Sequence, residues 1–168
     1  MVPVTGSGAG EPSGDERPLG ESADRGSLER AYRDTAYEAL GPGTQLDLRV
    51  DEPHAALDAL LEATGRRGWA FMTAWNPRSQ TLPAEENGER QRALWAALEE
   101  LSGEDGSPPL LLPGRGRGLA GAWPAEESVL ALGIARRDAL RLMRSFDQHA
   151  FLAGTRGGRA ELVWCDDA

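Results

Sequence analysis

The stretch WAFMTAW, residues 69–75, is apolar at every position but Thr73. A strand with one face in water alternates polar and apolar side chains, whereas a strand with both faces covered does not. Residues 69–75 are therefore expected at the centre of a sheet packed on both sides. SVLALGI at 128–134 has the same character. If these two strands run antiparallel side by side, the start of the second lies next to the end of the first.

The remaining elements are read around this centre. SLERAYRDTAYEAL, 27–40, has a helical face of Leu28, Ala31, Tyr32 and Thr35, with Ser27 as its cap and the GPG at 41–43 as its end. QLDLRV, 45–50, alternates strictly and predicts a half-buried strand. Asp51 is expected to cap the next helix, with Pro53 in its first turn and Gly65 at its close. Strand, helix, strand in this order predicts a right-handed parallel crossover. A helix is expected over 83–102, then mostly loop with a short strand at 110–112. RRDALRLMRSF, 136–146, predicts a helix, and HAFLAG and AELVW predict two closing strands joined by a TRGGR turn. The expected fold class is α+β: a mixed sheet of five to six strands covered by four helices, a sandwich of split βαβ type. Residues 1–26 are rich in Gly, Pro, Ser and acid and predict a disordered tail, which leaves 27–168 as a single α+β domain.

Composition removes several kinds of chemistry. The net charge is −9, which argues against gripping a nucleic-acid backbone. All 18 basic residues are Arg, so no Schiff-base Lys and no P-loop Lys exists. Cys165 is the only cysteine, and His54 and His149 are the only histidines. No disulfide, metal site or bound cofactor is expected from such a set. No run of about 18 apolar residues occurs, so no membrane span is expected, and a cytoplasmic location is the natural reading.

The helix at 83–102 points to a site. At 100° per residue, Leu94, Leu98 and Leu101 form its inward stripe, and Asn87, Arg90 and Gln91 continue that stripe toward the N-terminus. The helix thus begins with a polar inward end. Asn76 and Asn87 are the only asparagines of the chain. One ends the central strand, the other lies on the inward helix end, and a short loop joins them. Arg78 and Arg90 are expected at the same corner, where a guanidinium fork suits a carboxylate or phosphate. Glu126, Glu127 and Ser128 open the second apolar strand and are expected to form the third side.

These residues also carry a resemblance. AFMTAWNPRSQTLPAEENGERQRAL and WPAEESVLALGIARRDALRLMRSFDQHAFLAG are similar to the bacterial domain-of-unknown-function family 3293. The shared pattern falls on Thr73 to Pro77, Ser79, Gln80, Glu86, Asn87, Arg90, Trp123, Glu126, Glu127, Ser128, Phe146 and Gln148, within 28–164. Pro83 stands where a capping Ser or Thr is more usual, and Pro124-Ala125 lengthens the link from Trp123 to the Glu pair. The resemblance groups these residues without implying a reaction.

Two functions fit. In the first, Arg78 and Arg90 clamp a small anionic or polar ligand, Asn76 and Asn87 orient it, Glu126 and Ser128 line the pocket, and Glu127 is the base if chemistry occurs. Trp75 and Trp123 flank such a site and offer faces for stacking. In the second, the cluster is a structural network and the domain is a non-catalytic interaction module, its protein partner unknown. The PGRGRG at 113–118 offers an anion-binding loop or a plain surface loop. The Arg137, Arg141 and Arg144 stripe reads as a solvated helix face.

Overall fold

The structure, a computed structural model, describes residues 24–41 and 43–167. The tail expected over 1–26 lies outside the described residues up to position 23. Four α-helices and seven strands are present among the described residues. They are α1 (Arg25–Arg33), β1 (Thr35–Gly41), β2 (Thr44–Leu48), α2 (Ala55–Ala63), β3 (Gly68–Met72), α3 (Ala84–Glu99), β4 (Leu110–Gly118), β5 (Glu126–Leu132), α4 (Arg136–Ser145), β6 (Ala150–Thr155) and β7 (Glu161–Trp164). No helix among the described residues is long and apolar enough to cross a membrane.

The seven strands form one sheet in the order β2-β1-β4-β5-β3-β6-β7, and every neighbouring pair is antiparallel. The α+β class holds, while the sheet is larger than expected and not mixed. β5 and β6 both pair with β3, one on each side, so β5–α4–β6 is a split βαβ unit. β3–α3–β4 is a second one, closed around β5. The expected parallel crossover between 45–50 and 69–75 does not form, because three strands separate β2 from β3.

Both faces of the centre are covered, as the unalternating strands require. Trp69, Phe71, Leu130, Leu132 and Leu152 pack with Leu28 and Tyr32 of α1 and Leu57 and Leu61 of α2. Ala70, Met72, Val129, Ala131, Phe151 and Ala153 pack with Leu94 and Leu98 of α3 and Ala139 and Met143 of α4. Each large aliphatic side chain withdrawn from water in these two layers contributes about 1.5–3 kcal/mol.

Three local expectations are corrected. The helix expected over 27–40 ends at Arg33, and TAYEALG becomes β1, held between β2 and β4. Ala, Glu and Leu favour helix, but two ladders of backbone hydrogen bonds outweigh a few tenths of a kcal/mol per residue of propensity. Tyr37 thus sits on a strand, its hydroxyl donating to Tyr32 O at 2.8 Å and its ring edge-on to Phe71. The cap of α1 is Asp24 rather than Ser27, whose N–H it accepts at 3.0 Å. α2 begins at Ala55 after His54, not at Asp51, and the half-buried His54 ring accepts the Arg49 N–H through Nε2 at 3.0 Å.

PGRGRG is not a loop but part of β4, paired on both sides. Its glycines serve close packing. A Cβ on Gly114 would lie 2.8 Å from Glu38 O and 3.0 Å from the Phe71 ring. Its arginines point to one carboxylate: Arg115 Nε reaches Glu38 Oε2 at 2.7 Å and Arg117 Nε reaches Oε1 at 2.5 Å. Burial pushes the Glu38 carboxyl upward, but the two guanidiniums outweigh it and hold the group below the ordinary carboxylate range. A depressed folded-state value stabilises the fold above the unfolded pKa, and that stability is lost as pH falls through the folded value. Denaturant titrations of Glu38→Gln against the parent should therefore differ most above about pH 4.5 and converge on acidification below it. A constant difference across that range would contradict this assignment.

Candidate functional site

The end of β3 runs through Thr73, Ala74 and Trp75 into Asn76, the Pro77–Ser79 turn and the N-terminus of α3. This corner brings together most of the residues singled out in the sequence. Asn76 and Asn87 bind each other reciprocally. The Asn76 N–H donates to Asn87 Oδ1 at 2.9 Å, and Asn87 Nδ2 donates to Asn76 Oδ1 at 2.8 Å. Asn76 Oδ1 also accepts the Leu82 N–H at 3.0 Å, and Asn87 Nδ2 reaches Leu82 O at 3.2 Å. The second side of the corner joins through Asn76 Nδ2, which donates to Glu126 Oε1 at 3.0 Å. All three side chains are buried.

The polar inward end expected for α3 is present. Asn87, Gln91, Leu94 and Leu98 are its buried residues. Gln91 Oε1 accepts the Ala74 N–H at 2.9 Å. Arg90 is half-buried and spends its guanidinium on backbone carbonyls, Nε on Ala74 O at 2.9 Å and Nη2 on Phe146 O at 2.6 Å. It lies 5.9 Å from the centre of the Phe146 ring. Gln148 Nε2 adds a bond to Trp75 O at 3.1 Å. The strand end, the helix start and the end of α4 are thus fastened by side chains reaching main-chain groups that no ladder or helix satisfies.

The Glu pair divides. Alternation along β5 turns Glu126 and Glu127 to opposite sides of the strand, and only Glu126 is buried. The Glu127 side chain is exposed, opposite Arg115 in the β4–β5 register, and its carbonyl accepts from Thr73 Oγ1 at 2.6 Å. Ser128 is buried, its hydroxyl donating to Glu126 O at 3.1 Å.

Arg78 faces outward. Its side chain is 52% exposed and lies 3.8 Å from Asp166. The backbone beneath it is unusual. Asn76, Arg78 and Ser79 have φ of 44°, 47° and 67°, and Asp147, whose carbonyl accepts the Arg78 N–H at 2.8 Å, has φ of 55°. Left-handed backbone costs a non-glycine residue roughly 1 kcal/mol or more. His149 lies alongside, held below its ordinary pKa by burial, against a hydrogen bond to the Arg78 backbone that acts the other way. Cys165 is buried there too, and burial pushes its thiol up to about 11. Such a thiol is a packing group and not a nucleophile. No sequence signal tied Asp147, His149 or Asp166 to Arg78, since the fold alone brings the C-terminal segment to this loop. Arg144 holds that segment through Cys165 O at 2.6 Å and Asp167 O at 2.7 Å, while the Arg137, Arg141 and Arg144 stripe is exposed, as expected.

Residues 72–151 match the model of a family described as "Protein of unknown function (DUF3293)", so the resemblance read from the motifs holds. The matched segment is narrower than 28–164 and takes in the whole Asn76–Asn87–Glu126 corner. No curated protein and no solved structure matches the chain.

Asn87→Ala strands the buried Asn76 N–H and removes three bonds in all, so it should lower stability by about 2–4 kcal/mol in urea unfolding. Gly88→Ala, one residue along, meets only Arg92 Nη1 at 3.5 Å and should raise stability by about 0.5–1 kcal/mol. Equal responses at the two positions would refute the network.

Proposed function

We propose that this domain binds a small anionic ligand at the outer side of the corner, with the Arg78 guanidinium as its principal contact. The observation that carries this is the left-handed backbone of Asn76, Arg78 and Ser79, a local cost that the buried network beneath it sustains. Strained main chain that holds an exposed guanidinium in place is a form of preorganisation. In this reading Asn76, Asn87, Glu126 and Ser128 position the loop and do not touch the ligand, and Arg90 braces the strand end against α4. Arg78 has one distant carboxylate partner, Asp166, in a mostly solvated pair that contributes little. A carboxylate or phosphate that offers two oxygens competes well with it. The proposal assigns binding and no reaction. Glu127, the base suggested by the sequence, has its side chain on the other side of β5 from Glu126.

A second reading, a non-catalytic interaction module with a purely structural corner, is favoured by one observation. Two hollows of about 270 Å³ and 260 Å³ among the described residues lie elsewhere, and neither is lined by a corner residue.

Thermal unfolding with added phosphate, citrate or a nucleotide separates the two. Arg78→Ala should hold the ligand-free midpoint within about 0.5 kcal/mol of the parent, as surface substitutions do, while the rise induced by the anion disappears. If no anion raises the parent's midpoint, the interaction module is the better account.

A further inference from the structure

β4 carries the PGRGRG motif into a part of the sheet that is covered on one side only. Among the described residues, the layer that packs under α3 and α4 takes in nothing from β1 or β2. Tyr37 and Ala39 of β1 belong to the layer under α1 and α2, so alternation turns Glu38 and Leu40 to the open side. Directly opposed residues of neighbouring strands share a face, and Arg115 opposes Glu38. Pro113 and Arg117, each two residues along β4, share that face, as does Gln45, which opposes Leu40.

A hollow of about 260 Å³ lies on this open side, walled by Glu38, Leu40, Gln45, Pro113 and Arg115. All five side chains reach it from one face of the sheet. Glu38 and Arg115 make its charged end, and Leu40 and Pro113 its apolar end. Leu40 is 60% exposed although it is a large apolar side chain on a strand.

The charged end is a group of three. Glu38 is buried, and each of its carboxylate oxygens accepts one Nε–H, from Arg115 at 2.7 Å and from Arg117 at 2.5 Å. Both guanidiniums are anchored by Nε alone. Among the described residues their Nη groups have no acceptor and point no further into the protein. One arginine on Glu38 would leave a neutral pair, whereas two leave one net positive charge. A guanidinium already fixed through Nε loses little freedom when its Nη groups meet an anion. Two further carboxylates share this face. Asp47, opposite Glu38 on β2, is paired with Arg49 at 3.5 Å. Glu127, opposite Arg115 on β5, is exposed, and Arg115 pairs with Glu38 instead. Glu127 therefore stands as a weak competitor for any acid that approaches Arg115.

We propose that this hollow binds a small organic acid, its carboxylate taken by the Nη groups of Arg115 and its apolar body laid on Leu40 and Pro113. Arg117 occupies the other oxygen of Glu38 and keeps the group of three positive. The site lies on the β1–β4 half of the sheet, apart from the Arg78 loop, and does not rest on it.

The test follows backbone amide signals by nitrogen–proton correlation NMR as sodium benzoate is added, with sodium acetate at equal ionic strength as the comparison. Benzoate should move the signals of residues 38–41 and 114–115 saturably. Acetate, with the same charge and little apolar body, should need about tenfold more. Arg115→Gln should weaken the benzoate response about tenfold, and Arg78→Ala should leave it unchanged. Arg115→Gln also takes a partner from the buried Glu38, so Leu40→Thr and Glu127→Gln, both at exposed positions, give a second measure if that variant does not fold. Leu40→Thr should weaken the response about threefold, and Glu127→Gln should strengthen it about twofold. No movement with benzoate, an equal response to acetate, a response lost in Arg78→Ala, or a response unaltered in Arg115→Gln or Leu40→Thr would each overturn the proposal.

Discussion

Asn76 and Asn87 hold one another through a two-way exchange between a main-chain N–H, two amide oxygens and an amide nitrogen. A primary amide suits this place because it donates and accepts at once. Asp at 87 would remove the donor to Asn76 Oδ1 and Leu82 O, and Asp at 76 would remove the donor to Glu126 Oε1 and set a second carboxylate against it. The exchange fixes where β3 stops, how the loop turns and the angle at which α3 starts. With α3 so placed, its apolar half falls on Met72, Ala74 and Val129, and the layer on that side of the sheet forms around it.

The same end of the molecule also carries costs. Gln91 uses its oxygen on Ala74, but its Nε2 is buried without a partner, as are the indole nitrogens of Trp75 and Trp123. Each such group forfeits about 1–3 kcal/mol of hydration. Gln91 and Trp75 lie beside a loop whose backbone is itself strained. Stability alone selects against such costs side by side, and this is the ground for proposing that the loop recognises a ligand.

Much of this was legible in the chain. The unalternating strands announced a sheet covered on both faces, because hydrophobicity without period leaves no side for water. The α3 face argument located Asn87 and Gln91, because helical geometry is rigid enough to place residues by angle alone. β1 was not legible, since TAYEALG is helix-prone and its strand state comes from partners far along the chain. The glycine-rich β4 was hidden for a related reason. Glycine has low strand propensity, and the close approach of Phe71 and Glu38 that requires it is a property of the assembled sheet. Arg90 was expected to face a ligand, whereas carbonyl groups at the strand end and after α4 take two of its N–H groups. Spacing reveals which residues meet, not which backbone groups are left over for them.

The strand order has a consequence for how the chain acquires its structure. β3 is the most apolar strand, yet neither neighbour precedes it in sequence: β5 and β6 both come later. During synthesis its two edges stay open until residues beyond 126 emerge, while β1 and β2 can already pair as a hairpin. The centre of the sheet thus closes late, through contacts of long sequence separation, which slows folding. Until then WAFM is an exposed, uncharged, strand-forming segment of the kind that associates with copies of itself. The net charge of −9 acts against such association, since like charge keeps chains apart.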